Sequence, residues 1–393
     1  MINDSIFEKY TNKHSAGLYP VAAMKLGNKE WDSDDGVVIT NIEINTNVWG
    51  EAGSCIVEVK LNDALDNLLK KEIKSPKEFS KIKPGIDFEV YLGYLKESDD
   101  KIKTKQLTQV FKGYISKFEK IIQNGSMSVV IYGMDGLMWL MSNLKTELKK
   151  NKTKFSAVMN ELLGKYSSKL KKSVSIKGEV ACGSDIYQDN ESDFDFLKRI
   201  CEKIGCLIFV SNGKCFVSPP SGINNGKQLT VQYDKTHIYY VKTAVDVLGI
   251  PKKVTVVGID SKDYNKQVKS QIQKVSGALG KGKELNALSS NITANNEIII
   301  IDNTVASANE AKSYAESILE LKELKAVETE IKCIGYPEFL LGQKITLKKF
   351  GDPTDNNYII TELEHRFEQD SEGVPQYETR MILNANKVNL QKK

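Results

Sequence analysis

Apolar and polar residues alternate over several short stretches of the chain. Ile86, Phe88, Val90 and Leu92 are spaced by two, and so are Cys55, Val57, Val59 and Leu61. A strand with one buried face has this period, because successive side chains point to opposite sides of the sheet. Asn124-Gly125 lies between Lys117–Ile122 and Ser128–Tyr132, a hairpin signal because both turn residues tolerate positive φ. The first ~145 residues therefore read as mainly β, with a short helix over Asp63–Lys71 capped by Asn62 or Asp63.

The pattern then changes. Lys145–Lys154 is a lysine-rich polar stretch and marks a boundary. Phe155, Val158, Met159, Leu162, Leu163 and Tyr166 recur at helical spacing. A second helix is better bounded. Ser192 is placed to cap it, Asp195 stands three positions on, and Phe194, Leu197, Ile200, Cys201 and Ile204 form one stripe before Gly205. Cys206–Val210, Asn212-Gly213 and Lys214–Ser218 read as a hairpin stopped by Pro219-Pro220. Beyond it β returns: Val254, Val256 and Ile259 predict a strand, as do Glu328–Cys333, Lys344–Lys348, Tyr358–Phe367 and Tyr377–Leu383. Ser307 and Glu310 form a capping box for a helix to about Leu324. Ser261–Asn296, rich in Gly, Lys, Ser and Asn, is expected to be a long mobile loop or a hairpin tip.

Length and composition bound the rest. The 393 residues correspond to about two to four domains. Charged residues make up 27% and the hydrophobic set 40%, an ordinary globular balance, with a net charge of +4. Of the 55 bases only Arg199, Arg366 and Arg380 are arginine, and the histidines are His14, His237 and His365. Sequence-specific nucleic-acid reading leans on the arginine fork, and a histidine-rich metal site cannot be assembled from three imidazoles. No stretch approaches the roughly 20 apolar residues of a membrane-spanning helix, and Met1–Tyr10 carries Asp4 and Glu8 rather than a leader's apolar core. Cys55, Cys182, Cys201, Cys206, Cys215 and Cys333 are too sparse for a disulfide framework, so synthesis in a reducing cytoplasm is expected.

Candidate chemistry is thin. Gly277–Lys283 approximates a phosphate-binding loop, but Glu284 occupies the position where a Ser or Thr must reach the magnesium ion. Cys201 and Cys206 are five apart and lack a second matched pair, so they read as buried small hydrophobes rather than zinc ligands. His365, between Glu364 and Arg366, is either a general base or a residue on a sheet face, and the strand pattern favours the sheet. Asp193 and Asp195 stand at a helix start, where the dipole accounts for carboxylates. The lysines of Lys145–Lys154 and Lys169–Lys177 read as solvated faces. No catalytic, cofactor-binding or metal-binding residue is assigned.

One resemblance goes further. Gln188-Asp189-Asn190-Glu191-Ser192-Asp193-Phe194-Asp195-Phe196-Leu197-Lys198-Arg199-Ile200, followed by Gly205 and the hairpin, resembles the hallmark of the phage late-control tail protein family. That family holds contractile-tail baseplate hubs and the shell region of type VI secretion spikes. Here Asp195 separates the two aromatics. Val110–Ile115, Tyr132–Leu137, Val254–Asp260, Ala306–Leu324, Gly335–Phe339, Gly342–Ile345 and Tyr358–Phe367 are similar to further family segments in the same order, so the likeness spans about residues 80–385.

The resemblance implies an α+β, mainly β fold: two β-barrel-like hub domains, over residues 1–148 and 236–393, with an α/β insert over 149–235. It implies a homotrimer, a pseudo-sixfold ring adapting the sixfold tail tube to the threefold central spike. The implied partners are the spike, the tail tube or a tube initiator, and the tape-measure and other baseplate proteins, with DNA only in transit through the lumen. No membrane insertion, cofactor or enzymatic activity is implied. The place of action is a virion or tail-like particle, assembled in the bacterial cytoplasm. The chain ends at Lys393, so the spike and any wall hydrolase are expected on separate chains.

Overall fold

The computed structural model describes residues 18–31, 37–61, 82–96, 104–123, 126–149, 154–175, 186–234, 237–246, 248–260, 262–273, 279–280, 283–284, 296–370 and 372–388. The helix expected over 63–71, the Asn124-Gly125 turn, His14 and Cys182 lie outside these residues.

The fold is mainly β and is organised by one thirteen-stranded sheet. Its first contributors are β1 (Leu18–Leu26), β2 (Lys29–Trp31), β3 (Val37–Asn47), β4 (Ser54–Leu61), β5 (Asp87–Lys96), β6 (Thr108–Gln123) and β7 (Ser126–Met134). They run in the spatial order β3-β4-β7-β6-β5-β1-β2, all antiparallel. Met24 on β1, Ile42 on β3 and Phe88 on β5 nevertheless share one apolar core. Strands that far apart in the ladder meet only if the sheet wraps around them. Register shifts at Ile39/Asn41, Val90/Tyr91 and Ile115/Lys117 supply local twist for such curvature.

The chain then leaves the sheet through α1 (Met138–Met141), β8 (Leu144–Lys149), α2 (Phe155–Gly164), β9 (Lys171–Val174), β10 (Ile186–Ser192), α3 (Asp193–Ile204), β11 (Leu207–Ser211) and β12 (Lys214–Ser218). α2 and α3 bury the stripes read from the sequence against β11 and β12, forming a separate core. Ser192 caps α3 by accepting from the Asp195 amide at 3.0 Å, and Gly205 closes it in the left-handed conformation at φ 65°. The polar stretch after Ser142 is no simple linker: β8 pairs antiparallel with β10. Lys145 on it turns its charge onto the buried Asp193, while Leu144 is exposed, so the strand has no apolar period for a hydropathy reading to find.

The remaining elements are β13 (Leu229–Gln232), β14 (Ile238–Val245), β15 (Lys253–Ile259), β16 (Gln267–Ile272), β17 (Lys283–Glu284), β18 (Glu297–Ile301), α4 (Ala308–Leu324), β19 (Val327–Ile334), β20 (Lys344–Lys348), β21 (Asn357–Gln369), β22 (Pro375–Ala385) and β23 (Lys387–Val388). Strands β14, β19, β22 and β21 continue the large sheet around a second core, with β20 attached to β21 and β13 to β20. α4 packs on a small β16-β15-β18 sheet through Val254, Val256, Ala311, Ala315 and Leu319. Of the loop or hairpin tip expected over 261–296, the described residues include a hairpin arm, since β16 pairs antiparallel with β15. Residues 267–272 form β16, and residues 283–284 pair with β23. Only Val268 of β16 is buried, so the strand's solvent face gave the segment its loop-like composition.

Candidate functional site

The residues singled out from sequence do not converge on a catalytic centre. Cys201, Cys206 and Cys215 are buried in the insert core, where burial pushes the Cys201 thiol well up and the Cys206 thiol up to about 12. Protonated thiols of this kind are packing groups rather than ligands or nucleophiles. Among the described residues no group of His, Cys, Asp or Glu is arranged to hold a metal ion. In the glycine- and lysine-rich segment, Leu279 is buried and exchanges hydrogen bonds with Asn386, so the described part of it is tied to the C-terminal strand.

His365 sits on β21 opposite Thr379 of β22 and Ile44 of β3. It is 1% exposed, and its Nδ1 lies 2.9 Å from the Tyr377 hydroxyl and 3.2 Å from Thr379 Oγ1. Burial lowers its pKa to about 3, so at neutral pH the imidazole is uncharged. It is a wall residue at the seam of the two β modules. The flanking Glu364 side chain pairs with Arg380 instead.

Asp193 does more than meet a helix dipole. It is buried and accepts from Lys145 Nζ, the Tyr166 hydroxyl (2.5 Å) and Gln188 Nε2 (3.0 Å). Burial pushes its carboxyl up, but these three donors outweigh it and hold the pKa below the usual carboxylate range. The group staples β8, the turn after α2 and β10 to the start of α3. Asp135, at the exit from β7, accepts from the Gly53 amide at 2.7 Å and the Leu137 amide at 2.9 Å. Burial raises its pKa to about 7 against those bonds. Sequence reading gave no sign of it beyond the Asp-Gly after a strand.

Among the described residues, the molecule presents a hydrogen-bonded seam and several strand edges without a strand partner. β21 pairs with β3 from Glu362↔Asn47 to Glu368↔Asn41, fusing the two β modules into one sheet. Tyr94 of the first module reinforces the seam by donating to the Gly335 carbonyl at 3.0 Å, its ring 6.0 Å from that of Tyr377. At one end of the sheet β14 pairs only with β19 among the described strands, and it exposes Tyr239 and Tyr240. β18 exposes Ile299 and Ile301, and the outer half of β6 exposes Phe118, Ile121 and Ile122. Exposed apolar edges of this kind invite strand addition or packing by another chain. The run of four isoleucines at 298–301, which the strand assignments above do not include, is a sequence signal that could have revealed one of them.

A family model described as the Alg8 N-terminal domain matches residues 66–369. The chain belongs to the Alg8 N-terminal domain family. That description names a domain and no activity, and it is not the late-control family resembled by the sequence. No curated protein matches the chain. Among solved structures, a tail protein from Neisseria meningitidis MC58 is similar at a TM-score of 0.64 and 12% identity, covering 93% of this chain and 96% of that one. The 43 kDa tail protein of prophage MuSo2 from Shewanella oneidensis gives 0.60 and 15%, covering 94% and 100%. The E. coli c3393 protein, described as a component of the type VI secretion system with structural similarity to T4 bacteriophage tail proteins, gives 0.56 and 11%, covering 94% and 79%. At these identities the likeness is one of fold: this Alg8 N-terminal domain member has the fold of tail proteins over nearly its whole length.

Proposed function

We propose that the chain is a structural baseplate hub of a contractile phage tail or tail-like particle, of the late-control type. Three copies close a ring that adapts the sixfold tail tube to the threefold central spike. The observation that carries this reading is the shared fold with two whole tail proteins, built on two β modules fused along β3 and β21. Two similar modules per copy give a trimer six similar positions, the arrangement a three-to-six adapter needs. The free edges at β14, β18 and β6 are surfaces of the kind ring closure covers. The partners are the spike, the tail tube or its initiator, and the tape-measure and other baseplate proteins. DNA only passes the lumen. The protein's place is then the particle, and its role needs no cofactor and no catalysis.

Light scattering on the purified chain should give three times the 44.0 kDa chain mass, and on addition of the spike a heavier complex still holding three copies of the chain. A monomer that binds neither spike nor tube overturns the reading. A second reading, the shell of a secretion-type spike, draws on the likeness to the E. coli secretion component. Neighbouring genes separate the two: tube, tape-measure and holin genes for a particle, a membrane-complex cluster for secretion. Clearing on a cell-wall zymogram, lost on an Asp or Glu substitution, would instead make the chain a peptidoglycan hydrolase.

A further inference from the structure

A cleft of about 420 Å³ lies where the turn after β3, the start of β11 and one face of α4 meet. Its floor is apolar and buried, with Leu207 and Ile208, and its walls are the half-buried Trp49, Ile318 and Leu321. The volume and lining are those of a binding pocket rather than a packing defect. Three lysines stand around it on two helices: Lys198 on α3, Lys322 and Lys325 on and just beyond α4. Lys325 lies 4.3 Å from the Trp49 ring centroid, over the aromatic face. Among the described residues none of the three makes an ion pair, and Glu202 is the one carboxylate in the lining. Elsewhere exposed lysines do find partners, as Lys112 does with Glu89 and Lys349 with Asp234.

We propose that this cleft is a docking site for an acidic, apolar peptide segment of another protein, which seats a large hydrophobic side chain between Trp49 and Leu321 and places carboxylates against Lys198, Lys322 and Lys325. Charge complementarity selects the occupant. A basic or neutral segment would leave three cations facing it uncompensated, whereas carboxylates meet all three. The spread of the lysines over separate elements fits several side-chain carboxylates better than one ligand head group. The cleft is also open to solvent along one side, as a peptide anchor site is, where a small ligand would be enclosed. Its walls come from two packing units: Trp49 and Leu207 belong to one core, and Ile318 packs with the α4 unit. A segment seated there clamps the two together. The inference rests on the cleft alone and stands whether or not the hub reading holds.

The test is selection of a random dodecamer peptide library on the immobilised full chain, with counter-selection on the K198E/K322E/K325E variant. The expected result is enrichment of peptides with a bulky apolar residue flanked by Asp or Glu. One such peptide, titrated by fluorescence anisotropy, should bind the variant at least tenfold more weakly and weaken several-fold from about 0.05 M to about 0.5 M salt. The K198Q/K322Q/K325Q variant, whose melting profile should match the unmodified chain, gives an intermediate loss and guards against misfolding of the reversal. No enrichment, enrichment without carboxylates, or equal binding by both variants overturns the proposal. Dodecanoate binding with a silent library would assign the cleft to a lipid. Self-association lost in the variant would assign it to a second copy.

Discussion

The two β modules share one sheet and differ in what fills them. Between residues 18 and 135 only Thr104 and Asp135 are buried polar side chains among those described, whereas residues 327–388 bury nine. The first core is dominated by Val, Ile, Leu, Phe and Met, and Phe367 and Tyr377 of the second module complete it. The second carries hydrogen-bonded polar groups through its wall. Thr361 donates to the Ile382 carbonyl or to Asn384 Oδ1, and Asn384 reaches the Val327 carbonyl at 3.2 Å. Thr329 meets the Tyr358 hydroxyl at 3.1 Å. Apolar filling tolerates exchange of shapes, while a satisfied polar network fixes one pairing of strands. The second module thus carries register information that the first leaves to its pleat, and β21, shared by both, transmits it across the seam to β3.

This contrast breaks most readily at Phe88. It is fully buried and packs edge-on against Phe111 at 5.9 Å. Phe88→Ala should cost about 3–5 kcal/mol in guanidinium unfolding, the largest effect of the set, with a slope unchanged if the module still unfolds with the rest. A cost under about 1 kcal/mol would mean the first core does not rely on apolar packing. Asp193→Ala comes next. It leaves Tyr166, Gln188 and Lys145 without their shared acceptor, and about 2–3 kcal/mol should be lost. Since Asp193 lies in the insert, both β modules should keep their amide-exchange protection while α3 loses its own. Uniform loss would show that the insert is not a separate unit.

How far the sequence shows all this depends on how local the physics is. α3 is legible because its cap, stripe and left-handed stop all lie within fourteen residues of each other. The helix from Ala308 is legible for the same reason, although Glu310 reaches back to the Ala306 amide at 2.9 Å rather than to that of Ser307. β8 and β16 are not legible, because exposed strands in small sheets need only one or two buried side chains. The seam is wholly illegible: Thr46 donates to the Leu363 carbonyl across 317 positions, and neither strand's pattern names the other. The docking cleft is hidden likewise, since Trp49, Lys198 and Lys325 are brought together only by the fold. His365 illustrates the middle case. Its strand was readable, but the neighbours that keep it neutral were not.

The polar network of the second module gives a smaller effect. Thr361→Val removes the donor to Asn384 while keeping the shape, and the stranded amide oxygen should cost about 1–2 kcal/mol. Thr361→Val combined with Asn384→Leu should cost less than the sum of the two, with a coupling of about 0.5–2 kcal/mol. Strict additivity would mean that the network does not act as a unit. The mirror change in the first module, Val57→Thr, places a hydroxyl in an apolar wall and should be at least as costly as Thr361→Val.

The smallest effect at neutral pH, and the sharpest test of the seam, is at His365. Its folded pKa is lowered to about 3 by burial, from an ordinary 6.5. Below about pH 6.5 the unfolded chain takes up a proton that the folded chain refuses until about pH 3. Stability from this group is therefore fully present above pH 6.5 and is lost as pH falls toward 3, with a steepest slope of about 1.4 kcal/mol per pH unit. His365→Gln keeps a polar group near Tyr377 and Thr379 but cannot protonate. The difference in stability between wild type and variant should be nearly constant above pH 7 and should move in the variant's favour as pH falls to 4, followed by urea midpoints at each pH. Subtracting the two curves cancels groups elsewhere, including Asp135, whose raised pKa gives the opposite slope between about pH 4 and 7. A flat difference would mean that His365 is protonated in place, and the seam would then be wet rather than a dry continuation of both cores.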